Sequence, residues 1–244
     1  MHNIEMRNSP MKYLNLIIAF LMLIGCSQPP SDPMSLTEEQ KRLHQYSLNS
    51  MQVANGLEAS LFAHEPMLVN PTNIDVDHRG RLWVCEGFNY RLPLNPDKEA
   101  KAGGDRILIL EDTDLDGVAD KQTVFYQGHD VNAALGITVL GNKVIVSKSP
   151  DIFVLTDTDG DDQADSKEIM FTGMGGIEHD HGIHAVVFGP DGKLYFNAGN
   201  DVHQMMRADS SLVVDQAGNK VDDSGNPYRQ GMAFRCNIDG SALE

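Results

Sequence analysis

The chain is poor in cysteine and lacks the spacings in which cysteine most often does chemistry. It holds three cysteines among 244 residues, and none forms a C-x-x-C motif. This excludes a zinc ribbon, a thioredoxin-type redox pair and a C-x-x-C-H haem attachment within this sequence. Cys85 and Cys236 lie in apolar, strand-like surroundings, which predicts buried free thiols, with pairing of the two as the alternative.

Positive charge and long apolar runs are also scarce. The formal net charge is −16 and no basic stripe occurs, which argues against a nucleic-acid partner. The apolar run from Leu14 to Ile24 is too short to span a bilayer but has the length of a signal-peptide core. Hydrophobic residues make up 41% of the chain, so wholesale disorder is excluded and a globular fold is expected.

The amino end predicts a lipid anchor. Lys12 precedes the apolar run, and Leu23-Ile-Gly-Cys26 closes it in the order of a bacterial lipobox, where the cysteine is lipidated. An ordinary secretory signal that contains Cys26 is the alternative. Ser27, in place of Asp, predicts an outer-membrane lipoprotein that faces the periplasm or the cell surface. We expect a signal peptide over residues 1–25, a tether over 26–35 and a short helix with its linker over 36–56.

One acidic loop occurs twice, displaced by 45 residues and flanked by apolar strand-like segments. Carboxylates at its positions 1, 3, 5 and 9, with a backbone carbonyl at position 7, match the oxygen ligands that calcium prefers. The flanks are not helical, so an EF-hand is excluded, and the pattern resembles the calcium loops of integrin-type propeller blades. A solvated acidic hairpin is the alternative, especially for the second loop, where Asp162 replaces the turn glycine. The candidate ligands are Asp112, Asp114, Asp116, Val118 and Asp120 in the first loop and Asp157, Asp159, Asp161, Gln163 and Asp165 in the second.

Three hairpin patterns recur along the chain, around His78-Arg79-Gly80, Gly141-Asn142 and Pro190-Asp191-Gly192. The first two are followed by a third strand, an acidic loop and a fourth strand. This predicts an all-β partial propeller over residues 57–244, with about three four-stranded blades. Leu57 to His64 is predicted as the outer strand of a closing blade. Three blades cannot close a ring, so the sequence predicts either more chain beyond Glu244 or chain supplied from elsewhere. A curled β-sandwich is the alternative fold.

The stretch from His181 to Phe196 carries a family resemblance. It contains His181-Gly-Ile-His184 and Gly189-Pro-Asp-Gly-Lys-Leu-Tyr195, and it resembles the signature hairpin of soluble quinoprotein glucose and aldose dehydrogenases. The stretch from Tyr228 to Gly240 looks like the segment that follows in that family. Closer still are bacterial membrane-bound dehydrogenase lipoproteins with a sorbosone-dehydrogenase-like propeller. These share the Glu65-Pro66 opening and the acidic loops.

The resemblance implies a dehydrogenase that oxidises a sugar or alcohol. His181 would be the general base, pyrroloquinoline quinone (PQQ) the hydride acceptor, and a cytochrome the electron acceptor. We assign His179, His184 and Arg235 as candidate cofactor contacts, and haem c is expected only in a further carboxy-terminal region. The histidines are alternatively metal ligands, or rim residues without chemistry. A propeller that binds calcium and docks glycans or a partner protein at the cell envelope is the alternative function.

Overall fold

The computed structural model describes residues 48, 51–175, 181–229 and 231–244. The chain divides into two compact units, Met1–Ser60 and Leu61–Glu244. In the first unit the described residues form turns, closed by hydrogen bonds from Met51 N–H to the Leu48 carbonyl and from Leu57 N–H to the Ala54 carbonyl. The signal peptide, Cys26 and the predicted short helix lie outside the described residues. Over the described ranges, no helix is long and apolar enough to cross a bilayer.

The second unit is all-β, as predicted. Each of its three sheets is antiparallel and built from strands that are consecutive in the chain. The first sheet contains β1 (Pro71–Val76), β2 (Leu82–Glu86), β3 (Asp105–Glu111) and β4 (Lys121–Gly128). The second contains β5 (Gly136–Leu140), β6 (Lys143–Lys148), β7 (Asp151–Thr156) and β8 (Ser166–Phe171). The third contains β9 (Ile183–Phe188), β10 (Leu194–Ala198) and β11 (Met232–Cys236).

The middle strands are apolar on both faces because each sheet is packed on both sides. In β2 and β3, Trp83 and Ile109 point to the second sheet, while Val84 and Leu108 point the other way, and all four are buried. Successive side chains of a strand alternate between faces, so a continuous apolar run suits a sheet stacked between two neighbours. The stacking forms one core between the first and second sheets and another between the second and third.

The innermost strands β1, β5 and β9 contact one another in series, β1 against β5 and β5 against β9. Sheets of consecutive strands that stack face to face and meet along their first strands are blades of a propeller. The fold is therefore a partial β-propeller. β5 and β9 approach each other closely at Gly136, where an added Cβ would lie 2.4 Å from the His184 carbonyl oxygen and also 2.4 Å from Ser147 Oγ on β6.

The third sheet has three strands among the described residues, and Glu244 exchanges both backbone hydrogen bonds with Arg235 at the edge of β11. The structure corrects one detail of the prediction. The segment from Leu57 to His64 is not a strand, because its described backbone makes a single cross-sheet bond, from Ala119 N–H to the Phe62 carbonyl.

That single bond has a counterpart one blade later, from Ala164 N–H to the Phe125 carbonyl on β4. Ala119 and Ala164 occupy the same position of the two acidic loops. Phe62 therefore lies where the outermost strand of a preceding blade would be, without being a strand itself.

The antiparallel order separates two ends of each sheet. The turns that follow β1, β5 and β9 and both acidic loops lie at one end, which we name the turn end. The longer connections lie at the opposite, loop end, and their described residues are 87–104, 129–135, 172–175, 181–182, 199–229 and 231. The predicted calcium ligands of the acidic loops and the predicted base His181 are consequently separated by the length of a strand.

Candidate functional site

The first acidic loop folds around its own carboxylates. Asp112 accepts hydrogen bonds from the N–H groups of Asp116 (3.1 Å) and Gly117 (2.8 Å), and Asp116 accepts from Val118 N–H (2.9 Å). Thr113 donates to both oxygens of Asp120, at 3.0 Å from its N–H and 2.6 Å from its hydroxyl. These bonds fix the loop and turn the carboxylates at its first, third and fifth positions toward one another.

The second loop repeats this build. Asp157 accepts from the N–H groups of Gly160 (2.7 Å) and Asp162 (3.0 Å), and Asp161 accepts from Gln163 N–H (2.8 Å). Here Thr158 engages only one oxygen of Asp165, Oδ2, through both its N–H and its hydroxyl at 2.6 Å. Asp165 Oδ1 therefore accepts neither of these two bonds from Thr158.

Both loops place residues in the left-handed region at positions 4 and 6. These residues are Leu115 (φ 62°) and Gly117 (φ 92°) in the first loop and Gly160 (φ 83°) and Asp162 (φ 63°) in the second. Asp tolerates this region better than most side chains, so replacement of the turn glycine does not break the loop.

Asp162 also has a role outside its loop. Its carboxylate accepts from Arg81 Nη1 at 2.8 Å, and Arg81 is itself held by Asp77 at 2.8 Å. This links the second acidic loop to the first sheet, which the sequence pattern did not reveal.

Three carboxylates converge in each loop. One oxygen from each member of a trio lies within 4.8 Å of the others, the trios being Asp112, Asp114, Asp116 and Asp157, Asp159, Asp165. Ligand oxygens about 2.4 Å from a shared calcium ion have such separations. The donor sets therefore fit a hard divalent cation in both loops. Asp120 and Asp161, predicted as ligands, stand outside these trios, and Val118 and Gln163 lie at the seventh position of each loop.

The electrostatics of the first loop agree with mutual repulsion of its acids. The charge of Asp116 raises the pKa of the Asp114 carboxyl above its ordinary value. Hydrogen bonds from Thr113 lower the pKa of Asp120, and those from Thr158 lower that of Asp165. A bound cation would relieve the repulsion at Asp114.

His181 lies at the loop end, two residues before β9 begins at Ile183. Its ring Nδ1 is 2.6 Å from Asn200 Oδ1, and its backbone carbonyl accepts from Asp201 N–H at 2.9 Å. Gly199 allows this approach, since a Cβ there would lie 2.3 Å from the His181 carbonyl oxygen. His203 is nearby in the chain, with Nδ1 2.9 Å from Asp223 Oδ2. The β9–β10 hairpin thus brings His181 together with Asn200.

The other predicted cofactor contacts do not join this group. Arg235 lies toward the turn end, where Nε donates to Glu244 at 2.8 Å and Nη1 to Asp191 at 3.2 Å. His184 lies in β9, and its carbonyl accepts from the Ser147 hydroxyl on β6. His179 lies outside the described residues. Among the described residues of the assigned set, only His181 is exposed at the start of the inner strand.

Sequence reasoning missed a buried polar cluster at the loop end of the first sheet. Glu86 is fully buried and accepts from Arg106 Nε (2.6 Å), Lys101 Nζ (3.3 Å) and Val69 N–H (2.9 Å). Burial alone would raise the pKa of Glu86, but these bonds outweigh it and lower the pKa. Asp105, also fully buried, has its pKa raised by burial despite accepting from Ala133 N–H at 2.9 Å. The partners are distant in sequence, so no local pattern identifies them.

Comparison with known proteins supplies a family. The profile of a domain of unknown function, DUF7133, matches residues 44–228. The chain belongs to this family. No curated protein matches the chain.

Solved structures resemble this DUF7133 member only distantly. One is the calcium structure of a Trichoderma reesei carbohydrate-active enzyme of family AA12, at 16% identity and a TM-score of 0.49, covering 78% of this chain and 40% of that one. Another is the holo pyranose dehydrogenase PQQ domain from Coprinopsis cinerea, at 18% identity and a TM-score of 0.42, covering 70% of this chain and 51% of that one. The chain thus spans about half or less of these proteins' lengths. Likenesses this distant do not indicate a function for the chain.

Proposed function

We propose that this propeller is part of a dehydrogenase that oxidises a sugar or alcohol carbon, with His181 as its general base. The observation that carries the proposal is the 2.6 Å contact between His181 Nδ1 and Asn200 Oδ1 at the loop end. An amide oxygen accepts and cannot donate, so Nδ1 donates in this contact, and when the ring is neutral the lone pair is on Nε2. A neutral imidazole in this tautomer is suited to take the proton of a substrate hydroxyl.

The redox partner in this proposal is PQQ, which when bound would accept the hydride, followed by a cytochrome-type electron acceptor. A polyanionic quinone needs cationic partners. Arg235, assigned to that role by resemblance, is instead paired with Glu244 and Asp191 toward the turn end. The assigned contacts among the described residues therefore do not form a quinone cradle, and the proposal is confined to proton transfer at His181.

Dye reduction by the purified protein tests the proposal, with calcium and PQQ present and a panel of aldoses and alcohols as substrates. We expect His181→Ala to lower kcat by about 100-fold or more, as loss of a general base does. Asn200→Ala should lower kcat less, because it removes only the acceptor that orients the His181 ring. Asn200→Asp keeps an acceptor oxygen at this position and should restore kcat. His203→Ala is the matched control and should retain activity. Absence of dye reduction by the wild-type protein across the panel, or an active His181→Ala variant, would reject the enzyme.

The second candidate is a non-catalytic propeller that binds glycans or a partner protein at the cell envelope. The ion pairs of Arg235 with Asp191 and Glu244 favour this second function, because they occupy a side chain that was predicted to contact the cofactor. In this case a glycan array should report binding while quinone titration by calorimetry reports none.

We further propose that calcium occupies both acidic loops and that acylated Cys26 anchors the protein to the outer membrane. The converging carboxylate trios support the first part. The order of Lys12, the apolar run and Cys26 supports the second. Mass spectrometry of the mature amino terminus from cells tests the anchor. An unmodified Cys26, or cleavage elsewhere, would contradict it.

A further inference from the structure

An aromatic side chain fills the turn end of the interface between the first and second sheets. Trp83 on β2 packs edge-on against Phe125, with ring centroids 4.8 Å apart, and its Nε1 donates to Asp77 at 3.0 Å. The guanidinium of Arg81 lies over the indole ring, 5.6 Å from its centroid, and pairs with both Asp77 and Asp162. A ring, a cation and two carboxylates thus close this part of the interface.

The interface between the second and third sheets has an aliphatic residue, Ile145, in the place of that ring. Trp83 pairs with Ile109 on β3, and Ile145 pairs with Val154 on β7. Ile109 and Val154 are 45 residues apart, the same displacement as the two acidic loops. Ile109 is fully buried, whereas Val154 is only half-buried. The second interface is therefore less completely filled than the first.

A cleft of about 260 Å³ opens at this place, and we name it the interface cleft. Its wall is mostly aliphatic and includes Met170, and Leu140 and Ile238 at its rim are 46% and 47% exposed. Asn237 N–H donates to the Ser241 carbonyl, so the turn after β11 spans five residues, against nine between β7 and β8. The shorter turn covers less of the interface, and the lining of the cleft is complete within residues 140–239.

Three charged side chains also line the interface cleft: Lys143, Glu168 and Asp239. Lys143 and Glu168 make no ion pair within the part of the chain that the structure describes. Asp239 accepts a hydrogen bond from Ser241 N–H at 2.9 Å, and hydrogen bonds from Ser241 lower the pKa of Asp239. The interface cleft thus offers one cation and two carboxylates beside an apolar wall.

We propose that the interface cleft binds a small aromatic zwitterion, a single ring system that carries one ammonium and one carboxylate group, as a free aromatic amino acid does. The ring would pack on Ile145 and Met170, in the place that the indole of Trp83 fills in the first interface. The ligand carboxylate would pair with Lys143, and its ammonium with the two acids.

Size and charge both select this class of ligand. Drug-sized ligands occupy pockets of roughly 300–1,000 Å³, so a smaller cleft suits one ring system. A purely anionic ligand is opposed by Glu168, Asp239 and the net charge of −16, and a purely cationic one by Lys143. The cleft lies at the turn end, a strand length from His181, so the proposal does not rest on the dehydrogenase activity.

Isothermal titration calorimetry tests the proposal with three probes: L-tryptophan, tryptamine, which lacks the carboxylate, and indole-3-propionate, which lacks the ammonium. Tryptophan should bind about tenfold more tightly than either of the others, since only it pairs with both kinds of charge. Lys143→Met should weaken tryptophan about tenfold and should not weaken tryptamine. Glu168→Gln combined with Asp239→Asn should weaken tryptophan and tryptamine and should not weaken indole-3-propionate.

Filling the interface cleft is the second arm of the test. Ile145→Trp places the residue of the first interface in the second and should abolish tryptophan binding, with circular dichroism to confirm folding. Val187→Trp, at a 53% exposed position on the opposite face of the third sheet, is the matched control and should bind normally. Lys143 and Glu168 are exposed, so their variants keep the test decisive if Ile145→Trp does not fold.

Three results would overturn the proposal. The first is no heat of binding with tryptophan up to about 1 mM. The second is tryptophan binding no tighter than that of tryptamine or indole-3-propionate. The third is unchanged tryptophan binding by Lys143→Met or by a folded Ile145→Trp variant.

Discussion

At the scale of single residues, the least predictable feature is the buried carboxylate of Glu86 at the loop end of the first sheet. Glu86 has no exposed side-chain surface and receives a bidentate pair from Arg106. Glu86, Arg106 and Lys101 carry formal charges at this site. Arg106 and Lys101 are 20 and 15 residues from Glu86 in the sequence. A buried pair of this kind contributes little net stability, but loss of one member leaves the others uncompensated.

Replacement of Glu86 by Gln should therefore destabilise the unit by about 3 kcal/mol at pH 7. The pKa of Glu86 is lowered in the folded state, below its ordinary 4.5. Its ionised form thus stabilises the fold above that value, and the contribution is lost as pH falls through the folded pKa. Urea unfolding at pH 7 and pH 3 measures both effects. The gap between wild type and Glu86→Gln should narrow at pH 3, and an equal gap at both pH values would contradict this account.

The two buried thiols illustrate the opposite case, where local sequence was sufficient. Cys85 and Cys236 both lie in strands, are fully buried and are free, as their apolar surroundings predicted. Burial raises the pKa of Cys85 to about 12. We therefore assign both a packing role.

At the scale of elements, the repeated loop shows which constraints are general and which belong to one copy. Both loops need left-handed backbone at position 4, filled by Gly160 in one and by Leu115 in the other. Leu115 is 87% exposed, so it gains nothing from packing in return for the strain. Its conformation is imposed by the bonds that Asp112 makes across the turn.

Leu115→Gly should accordingly stabilise the protein by about 0.5 kcal/mol, since relief of left-handed strain exceeds the added chain entropy of glycine. Gly160→Ala makes the reverse change in the second loop and should destabilise by about 1 kcal/mol. Thermal melting in the presence of calcium compares the two. If Leu115→Gly and Gly160→Ala shifted Tm in the same direction, the two loops would not share the requirement for left-handed backbone at position 4.

Removal of calcium with a chelator tests whether the two acidic loops bind this ion. If calcium at a hundredfold excess over Kd binds only the folded state, it stabilises by about 2.7 kcal/mol per site. A chelator should therefore lower Tm by several degrees. Asp114→Asn and Asp159→Asn should each show a smaller response to chelator than wild type. Asp209→Asn alters an exposed turn aspartate outside the loops and should respond fully. Identical melting with and without chelator would exclude a stabilising cation.

Elements were predicted well where their signal was local and poorly where it was not. The hairpins at Gly141 and Gly192, both acidic loops and β11 lie where period-two apolar patterns and turn residues place them. The strand predicted from Leu57 to His64 is absent because strands exist by pairing, and the described neighbours there supply one bond. The pairing of Arg235 with Asp191 and Glu244 could not be predicted for a related reason: these residues meet only in the folded third sheet.

At the scale of the whole molecule, neighbouring sheets contact each other along their inner strands. β5 and β9 approach at Gly136, whose missing side chain admits both the His184 carbonyl and the Ser147 hydroxyl that donates to it. The start of β9 is further fixed by Ile183 N–H, which donates to Ser149 Oγ at 2.9 Å. Since His181 lies two residues before Ile183, this packing also sets the position of the proposed base.

Gly136→Ala should destabilise the propeller by about 2 kcal/mol, because the added methyl group overlaps atoms of two sheets. Ser147→Ala removes the hydroxyl from the same contact and should cost about 1 kcal/mol. The double variant should lose less than the sum of the two, since deleting the hydroxyl clears part of the space that the new methyl group needs. Denaturant unfolding of all four proteins measures the coupling. If the losses in unfolding free energy of the two single variants added up in the double variant, Gly136 and Ser147 would act independently. The contact between β5 and β9 at Gly136 would then not couple the two sheets.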